Sequence, residues 1–326
     1  MELLVLDDRD VERLLSIEEC MPVMEEALSA LARGDGYQPL RSVVAPERAA
    51  GLMGLMPAYL GGQAPSFGVK VISVFPGNRA RGIDSHQGAV LLVSPETGEA
   101  LALVDASVLT GIRTAAVSAL ATRLLAREDA GDLALIGAGV QAAYHLDAMA
   151  AVRDLHRVRV VSRTGDTARR FADEHAARFS FPIEPAATVE EAVYGADLVL
   201  TATTATSPVL KGSWLTPGVH VNVIGGPGAN EVDIDAMVNS VLFVDDRVAA
   251  ENESGEYMAA VAAGAMGPEH VRATLGEVLA GMRPGRTSPD EVTLFKSLGV
   301  AVEDVAAAAY VYARACSEEV GTWVRT

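Results

Sequence analysis

The chain has 326 residues, half of them hydrophobic, and a formal net charge of −17. That length allows two packed domains, and acidity without any Lys/Arg cluster excludes a phosphate-backbone binder, so no nucleic-acid partner is expected. No apolar run reaches the ~18 residues of a membrane span, MELLVLDDRD lacks the basic start and apolar core of a signal peptide, and Cys20 and Cys316 form no C-x-x-C pair, which together predict a cytoplasmic protein with ordinary thiols and no membrane partner.

In chain order, Ile17, Cys20, Met21, Met24, Leu28 and Leu31 have helical spacing. Ser16 and Glu19 form a candidate capping box, and Gly34 and Gly36 stop the helix. From about 37 to 105, short apolar runs (LRSVVA, LMGLMPAYL, FGVKVISVF, GAVLLVS, ALALVD) alternate with Gly/Pro turns. Ser94-Pro95-Glu96-Thr97-Gly98 reads as a hairpin loop, so this region is an antiparallel sheet. Residues 114–128 read as a linking helix. From 132 to about 299, the strand-like runs LALIG, RVRVVS, LVLTAT, HVNVIG, VLFVD and VTLFKS alternate mostly with helices, which predicts a Rossmann-type doubly wound parallel sheet. The segment VEDVAAAAYVYARACSEEV is an amphipathic helix expected to return to the first domain. The predicted class is therefore α/β, with an N-terminal α+β domain (1–115), a Rossmann domain (116–299) and a C-terminal helix (300–326) completing the first.

The most informative stretch is Gly137-Ala138-Gly139-Val140-Gln141-Ala142, the pattern G-x-G-x-x-A, directly after the apolar run Leu133–Ile136. Gly137 permits a tight turn, Gly139 lets a pyrophosphate approach the backbone, and Ala142 lets the helix pack on the strand. The helix N-terminus offers N–H groups and partial positive charge to phosphates. The same letters fit a ligand-free strand–helix turn, but the strand before and the alanine-rich helix after favour dinucleotide binding. The second strand ends in Ser162-Arg163-Thr164, with no carboxylate at the tip to accept from a ribose 2′-OH. Hydroxyls with a guanidinium suit a 2′-phosphate, so NADP(H) is favoured and NAD(H) is possible. Asp166 is expected in the first turn of the next helix. Thr203 and Gly225, after the third and fourth strands, and Ser297, at the sixth, complete the cofactor candidates.

Arg41, Lys70 and Arg113 each sit among apolar or small residues. A buried cation needs an anionic partner from the protein or a ligand. Alternation puts Lys70 on the face opposite Val69 and Val71, which is a cleft or plain solvent. Met53 and Met56 are candidate pocket walls. His86 reads as a structural histidine or a ligand contact, His145 as structural, and Asn222 as a candidate contact. The six histidines show no metal-ligand spacing, so no metal is predicted. With no G-x-S-x-G and no Cys/His pairing, nucleophilic hydrolysis is unsupported.

The segments FGVKVISVFPGN, HQGAVLLVSPETGEALALVDASVLTGIRTAAVSALAT, LALIGAGVQAAYH and GEVLAGMRPGRTSPDEVTLFKSLGVAVEDVAAA closely resemble the ornithine cyclodeaminase/mu-crystallin family over nearly the whole chain. The resemblance implies that Arg41, Lys70 and Arg113 hold a substrate carboxylate, that Lys70 exchanges a proton with the substrate nitrogen, that Arg113 and Thr114 help hold the cofactor, and that the chain is a homodimer built through its N-terminal sheets. The chemistry fits independently. Hydride addition to a 2-imino acid demands positioning, two arginines suit a carboxylate, and a lysine between guanidinium groups has a lowered pKa and serves as acid. Cyclodeaminases of this kind carry an aspartate after the Gly pair of the fourth strand, whereas this chain has Pro227, with Glu231 and Asp233 following. The expected function is thus an NAD(P)(H)-dependent oxidoreductase on the CH–NH/C=N bond of a small 2-amino or 2-imino acid. The alternatives are an ammonia-releasing ornithine or lysine cyclodeaminase and a non-catalytic mu-crystallin-like binding protein.

Overall fold

The computed structural model describes residues 2–62 and 64–325. In chain order the elements are β1 (Glu2–Leu6), α1 (Asp8–Leu14), α2 (Ile17–Arg33), β2 (Gly36–Tyr37), β3 (Ser42–Val44), β4 (Leu52–Leu60), β5 (Ser66–Val74), β6 (His86–Val93), β7 (Ala100–Asp105) and α3 (Ala106–Leu125). There follow β8 (Asp132–Ile136), α4 (Val140–Val152), β9 (Arg157–Val161), α5 (Gly165–Ala176), β10 (Ile183–Pro185), α6 (Val189–Val193), β11 (Leu198–Thr201), β12 (His220–Val223), α7 (Ile234–Asn239), β13 (Val241–Val244), α8 (Arg247–Glu253), α9 (Gly255–Ala262), β14 (Val271–Thr274), α10 (Leu275–Leu279), β15 (Thr293–Lys296), α11 (Ala301–Glu318) and β16 (Thr322–Arg325). They fall into two compact units, residues 1–116 with 300–326, and residues 117–299.

In the first unit a mixed sheet runs in the order β16-β1-β7-β6-β5-β4-β2, with β3 also on β4. Every pairing is antiparallel except β1 with β7. Period-two alternation sets its faces. Met56, Ala58 and Leu60 of β4 are buried, whereas Met53 and Tyr59 are exposed. The buried face is covered by α11, which packs on β4, β5, β6 and α2. Helix α2 starts at the expected capping box, where the Glu19 N–H donates to Ser16 Oγ (3.1 Å) and the Ser16 N–H to the Glu19 carboxylate (3.0 Å). Strands β1 and β16 and helix α1 escaped the sequence reading, being short runs beside stronger helical signals. Helix α3 begins at Ala106, not near residue 114, because the Asp105 carboxylate accepts the Val108 N–H (2.9 Å) and so caps it. By length and composition this helix is long and apolar enough to cross a membrane, but 83% of its most apolar stretch is buried within the protein, as in a core helix.

The second unit is a parallel sheet in the order β10-β9-β8-β11-β12-β15-β13-β14. All six expected strands are present, and β10 and β14 extend the two edges. Those two were missed because IEP and VRAT are short and partly polar; Pro185, with no N–H to offer, is tolerated in an edge strand. The central strands are buried along almost their whole length, as a sheet covered on both faces requires. The chain leaves β8 toward β9 and β10, then returns to β11 on the other side. The order thus reverses between β8 and β11, the position where doubly wound sheets bind ligands at the carboxyl ends of their strands.

Candidate active site

The first unit gathers its charged candidates beneath α11. Lys70 stands on β5 directly between Met56 of β4 and Val90 of β6, all three on the buried face. The face is therefore neither open cleft nor solvent: the lysine is 2% exposed. Its Nζ lies 2.7 Å from Asp304 Oδ2 and 3.5 Å from Thr110 Oγ1. From α3, the Arg113 Nε donates to Asp304 Oδ1 (2.9 Å) and its Nη1 to Glu303 Oε2 (2.6 Å). Both acids occupy the first turn of α11, where the helix dipole favours negative charge, and both are fully buried.

Sequence reasoning missed Glu303 and Asp304. The available signal was an acidic pair opening an amphipathic helix, which reads equally as ordinary N-terminal acids. Arg113, expected to grip a substrate carboxylate, has its Nε and Nη1 engaged by these two protein carboxylates, the resident counter-charge that a buried guanidinium needs.

Burial pushes the Lys70 pKa down to about 8, Asp304 opposes that shift, and the charges of Arg113 and Arg41 reinforce it. Desolvation, more than the flanking guanidinium groups invoked from the sequence, is the leading cause. Burial raises the Asp304 pKa, but Arg113 and Lys70 outweigh it and hold the carboxyl below its ordinary value. Arg41, half-buried just before β3, lies close enough to act on Lys70 by charge. Thr114, one turn after Thr110, donates its hydroxyl to the Thr110 carbonyl (2.6 Å). Met56 faces the site, but Met53 projects from the opposite face of β4 and cannot wall the same pocket. His86 is exposed, its ring 3.0 Å from Ser85 Oγ.

The second unit gathers the cofactor candidates at the carboxyl ends of its strands. Gly137 has φ +119°, and a Cβ there would lie 2.4 Å from the Ala202 carbonyl oxygen, just past β11. Only glycine fits the turn. Gly139 is the N-cap of α4 with no side-chain cap, and a Cβ on it would meet nothing within 4 Å. Ala138 completes the turn, Val140 is 61% exposed at the helix start, Gln141 is half-buried, and Ala142 is buried against the sheet. An uncapped helix N-terminus over open space at the reversal of strand order fits a dinucleotide pyrophosphate. Ser297 fits as well, since its buried Oγ has no hydrogen-bond partner among the described residues.

At the tip of β9, the Ser162 Oγ donates to the Thr164 carbonyl (2.7 Å), Thr164 caps α5, and Arg163 is exposed. Asp166 lies in the first turn of α5 and pairs with Arg169. Thr203 donates its N–H (2.6 Å) and hydroxyl (2.7 Å) to Glu231, and Gly225 donates its N–H to the same carboxylate (2.7 Å). Asp233 caps α7 and accepts the Gly212 N–H (2.8 Å). Pro227 is exposed. Asn222 is buried and its Nδ2 donates to Thr122 Oγ1 (2.9 Å), while its Oδ1 has no hydrogen-bond partner among the described residues. His145 is buried between Ser118 Oγ (3.0 Å) and the Gln141 carbonyl (2.7 Å).

Comparison with known proteins gives these features a context. The chain is 38% identical over 306 residues to ketimine reductase mu-crystallin of Mus musculus, covering 92% of this chain and 93% of that protein. Thermococcus litoralis Delta(1)-pyrroline-2-carboxylate reductase, solved with NADH and L-proline, superposes with a TM-score of 0.95 at 36% identity over 98% of this chain and 99% of that one. An archaeal alanine dehydrogenase dimer with bound NAD superposes with a TM-score of 0.93 at 35% identity over 100% and 99% of the two chains. The sequence model of the ornithine cyclodeaminase/mu-crystallin family matches residues 1–319, and the chain belongs to that family.

Proposed function

We propose that this chain, an NAD(P)-dependent oxidoreductase acting on the C=N or CH–NH bond of a small 2-imino or 2-amino acid, works as an imino-acid reductase with Lys70 as proton donor. The observation that carries this reading is the buried lysine 2.7 Å from Asp304, with a pKa brought down to about 8. An acid matched to neutral pH is what protonation of an imine nitrogen requires.

Arg41 and Arg113 hold the substrate carboxylate and Met56 contributes apolar wall. The residues of the second unit that would hold the dinucleotide are Gly137, Ala138, Gly139, Val140 and Gln141 at the pyrophosphate, Ser162, Arg163 and Thr164 at the adenosine ribose, and Thr203, Gly225 and Ser297 at the nicotinamide. Bound NAD(P)H supplies the hydride that the imine carbon accepts. Lys70 gives its proton to the substrate nitrogen as the C=N double bond is lost, and the neutral amine then recovers a proton from solvent. Asp304 keeps the Nζ aimed and charged between turnovers. In the oxidative direction Lys70 takes the proton back. NADPH is favoured over NADH, because Ser162-Arg163-Thr164 presents two hydroxyls and a guanidinium with no carboxylate at the strand tip.

The redox-neutral cyclodeaminase reading has less support. Pro227 cannot ionise, and the acids after it are committed, Glu231 to four donors and Asp233 to a helix cap.

A homodimer through the first unit's sheet is part of the proposal. Met53, Tyr59, Phe67, Leu103 and Val324 share the face of that sheet opposite α11 and are each at least 37% exposed. Exposed apolar side chains gathered on one sheet face support an interface there. A cytoplasmic setting is also proposed, supported by the two unpaired cysteines.

The test is absorbance at the reduced-nicotinamide band with NADPH or NADH against pyrroline-2-carboxylate, piperideine-2-carboxylate and a panel of 2-oxo acids with ammonia. Loss of signal with one of them is expected. No loss with any, together with ammonia release from ornithine or lysine, would overturn the reading in favour of cyclodeamination.

A further inference from the structure

Behind the loops at the carboxyl ends of β11, β12 and β15 lies a buried charge cluster that the proton transfer does not use. Glu231, Glu256 and Lys296 are each at most 1% exposed. The Glu231 carboxylate accepts four hydrogen bonds, from Thr201 Oγ1 (3.0 Å), the Thr203 N–H (2.6 Å), Thr203 Oγ1 (2.7 Å) and the Gly225 N–H (2.7 Å). Lys296 donates to the Gly225 carbonyl (2.6 Å) and lies 3.3 Å from the Glu256 carboxylate. Glu256 in turn accepts the Glu231 N–H (2.8 Å) and the Ser254 hydroxyl (3.0 Å).

Gly225 is thus held at both ends, its N–H by a carboxylate and its carbonyl by an ammonium. A Cβ on it would lie 2.6 Å from Glu231 Oε2 and from the Ala229 Cβ. The loops after two different strands are tied to one carboxylate, and Lys296 ties the second of them to a third strand. A buried polar network with its members satisfied rigidifies what it holds. What it holds here is the half of the sheet beyond the reversal of strand order. Strands β8 and β9 carry the glycine turn and the Ser162–Thr164 tip; β11, β12 and β15 form the second mononucleotide half. Next to Lys296, the buried Ser297 Oγ has no partner among the described residues and offers a hydrogen bond to a ligand there.

We infer that Glu231, Lys296 and Glu256 are positioning residues that fix the loops after β11 and β12 for the nicotinamide half of the dinucleotide, leaving the adenosine half to other residues. This rests on the reading of the chain as a dinucleotide-dependent oxidoreductase. Glu231→Gln keeps the shape of the side chain but turns an amide N–H₂ toward donors that now face no acceptor.

The experiment is calorimetric titration of wild type and Glu231→Gln with NADP⁺ and with 2′-phospho-ADP-ribose, which lacks nicotinamide, and in parallel with NAD⁺ and ADP-ribose. The expected result is a loss of about tenfold in affinity for the full dinucleotide, since an unsatisfied buried donor costs that much, with the fragment binding as in wild type. If Glu231→Gln does not fold, Thr201→Val removes one donor from the same carboxylate and gives a smaller loss in the same sense. Equal weakening of dinucleotide and fragment, or a lowered Tm with unchanged affinities, would overturn the inference while leaving the dinucleotide reading in place. Wild-type protein that binds neither dinucleotide nor fragment would overturn that reading, and the inference with it.

Discussion

Lys70 Nζ lies 2.7 Å from Asp304 Oδ2, and neither side chain is more than 2% exposed. A buried pair of this kind is weak evidence for stability, because desolvation offsets much of the attraction. Its value lies in geometry: the aspartate shared with Arg113 fixes where the lysine points, and burial sets how readily it gives up a proton.

Lys70→Met retains the stem of the side chain and removes the proton. Turnover of the imine substrate is expected to fall by about 10²–10⁴-fold, the usual worth of a positioned acid, while calorimetry finds dinucleotide affinity nearly unchanged. Wild-type turnover in this variant would remove Lys70 from the mechanism.

The pH profile follows from the direction of the shift. With its pKa lowered to about 8, Lys70 holds a proton below that value and loses it above. Reductive kcat/KM is expected to be high on the acid side and to decline as pH rises through about 8. Asp304 is the influence that opposes the shift, so Asp304→Asn moves the break to lower pH. A break that stays in place in Asp304→Asn would mean that another group controls the profile.

Arg163 tests cofactor preference. It is exposed at the tip of β9, where a ribose 2′-phosphate would meet its guanidinium. Arg163→Ala is expected to weaken NADPH by about tenfold more than NADH, the worth of one charge-assisted hydrogen bond. Equal weakening of both cofactors would mean that Arg163 does not read the phosphate.

The cofactor unit was legible because its signals are local. Gly137 is required by its turn and Gly139 leaves open space at the helix start, both written in consecutive residues, and the central strands are continuous apolar runs. The substrate side was half legible. Lys70 and Arg113 stood out as cations among apolar neighbours, but their partners lie at the far end of the chain: the Arg113–Asp304 hydrogen bond spans 191 positions. Glu231 shows the same limit, since its neighbours suggest a helix start while its carboxylate ties together two strand ends. Asn222 was legible by position alone. Strand position gives the face of a residue, not which layer covers that face, and here the cover is Thr122 of α3.

The exposed side of the first unit's sheet yields the last prediction. Tyr59 and Phe67 are cross-strand partners, their rings 6.0 Å apart edge to face, and Phe67 is 43% exposed. Aromatic side chains on an open sheet face expose apolar area that a second copy of the same face would bury, and a two-fold interface places each patch against its twin. Phe67→Glu sets two carboxylates near each other at such an interface without touching the Lys70 face, since Phe67 and Lys70 differ in strand parity. Light scattering is expected to find wild type as a dimer and Phe67→Glu as a monomer with unchanged far-ultraviolet circular dichroism. A variant that stays dimeric would move the interface elsewhere on the molecule, and a monomeric wild type would leave this apolar face without its proposed occupant.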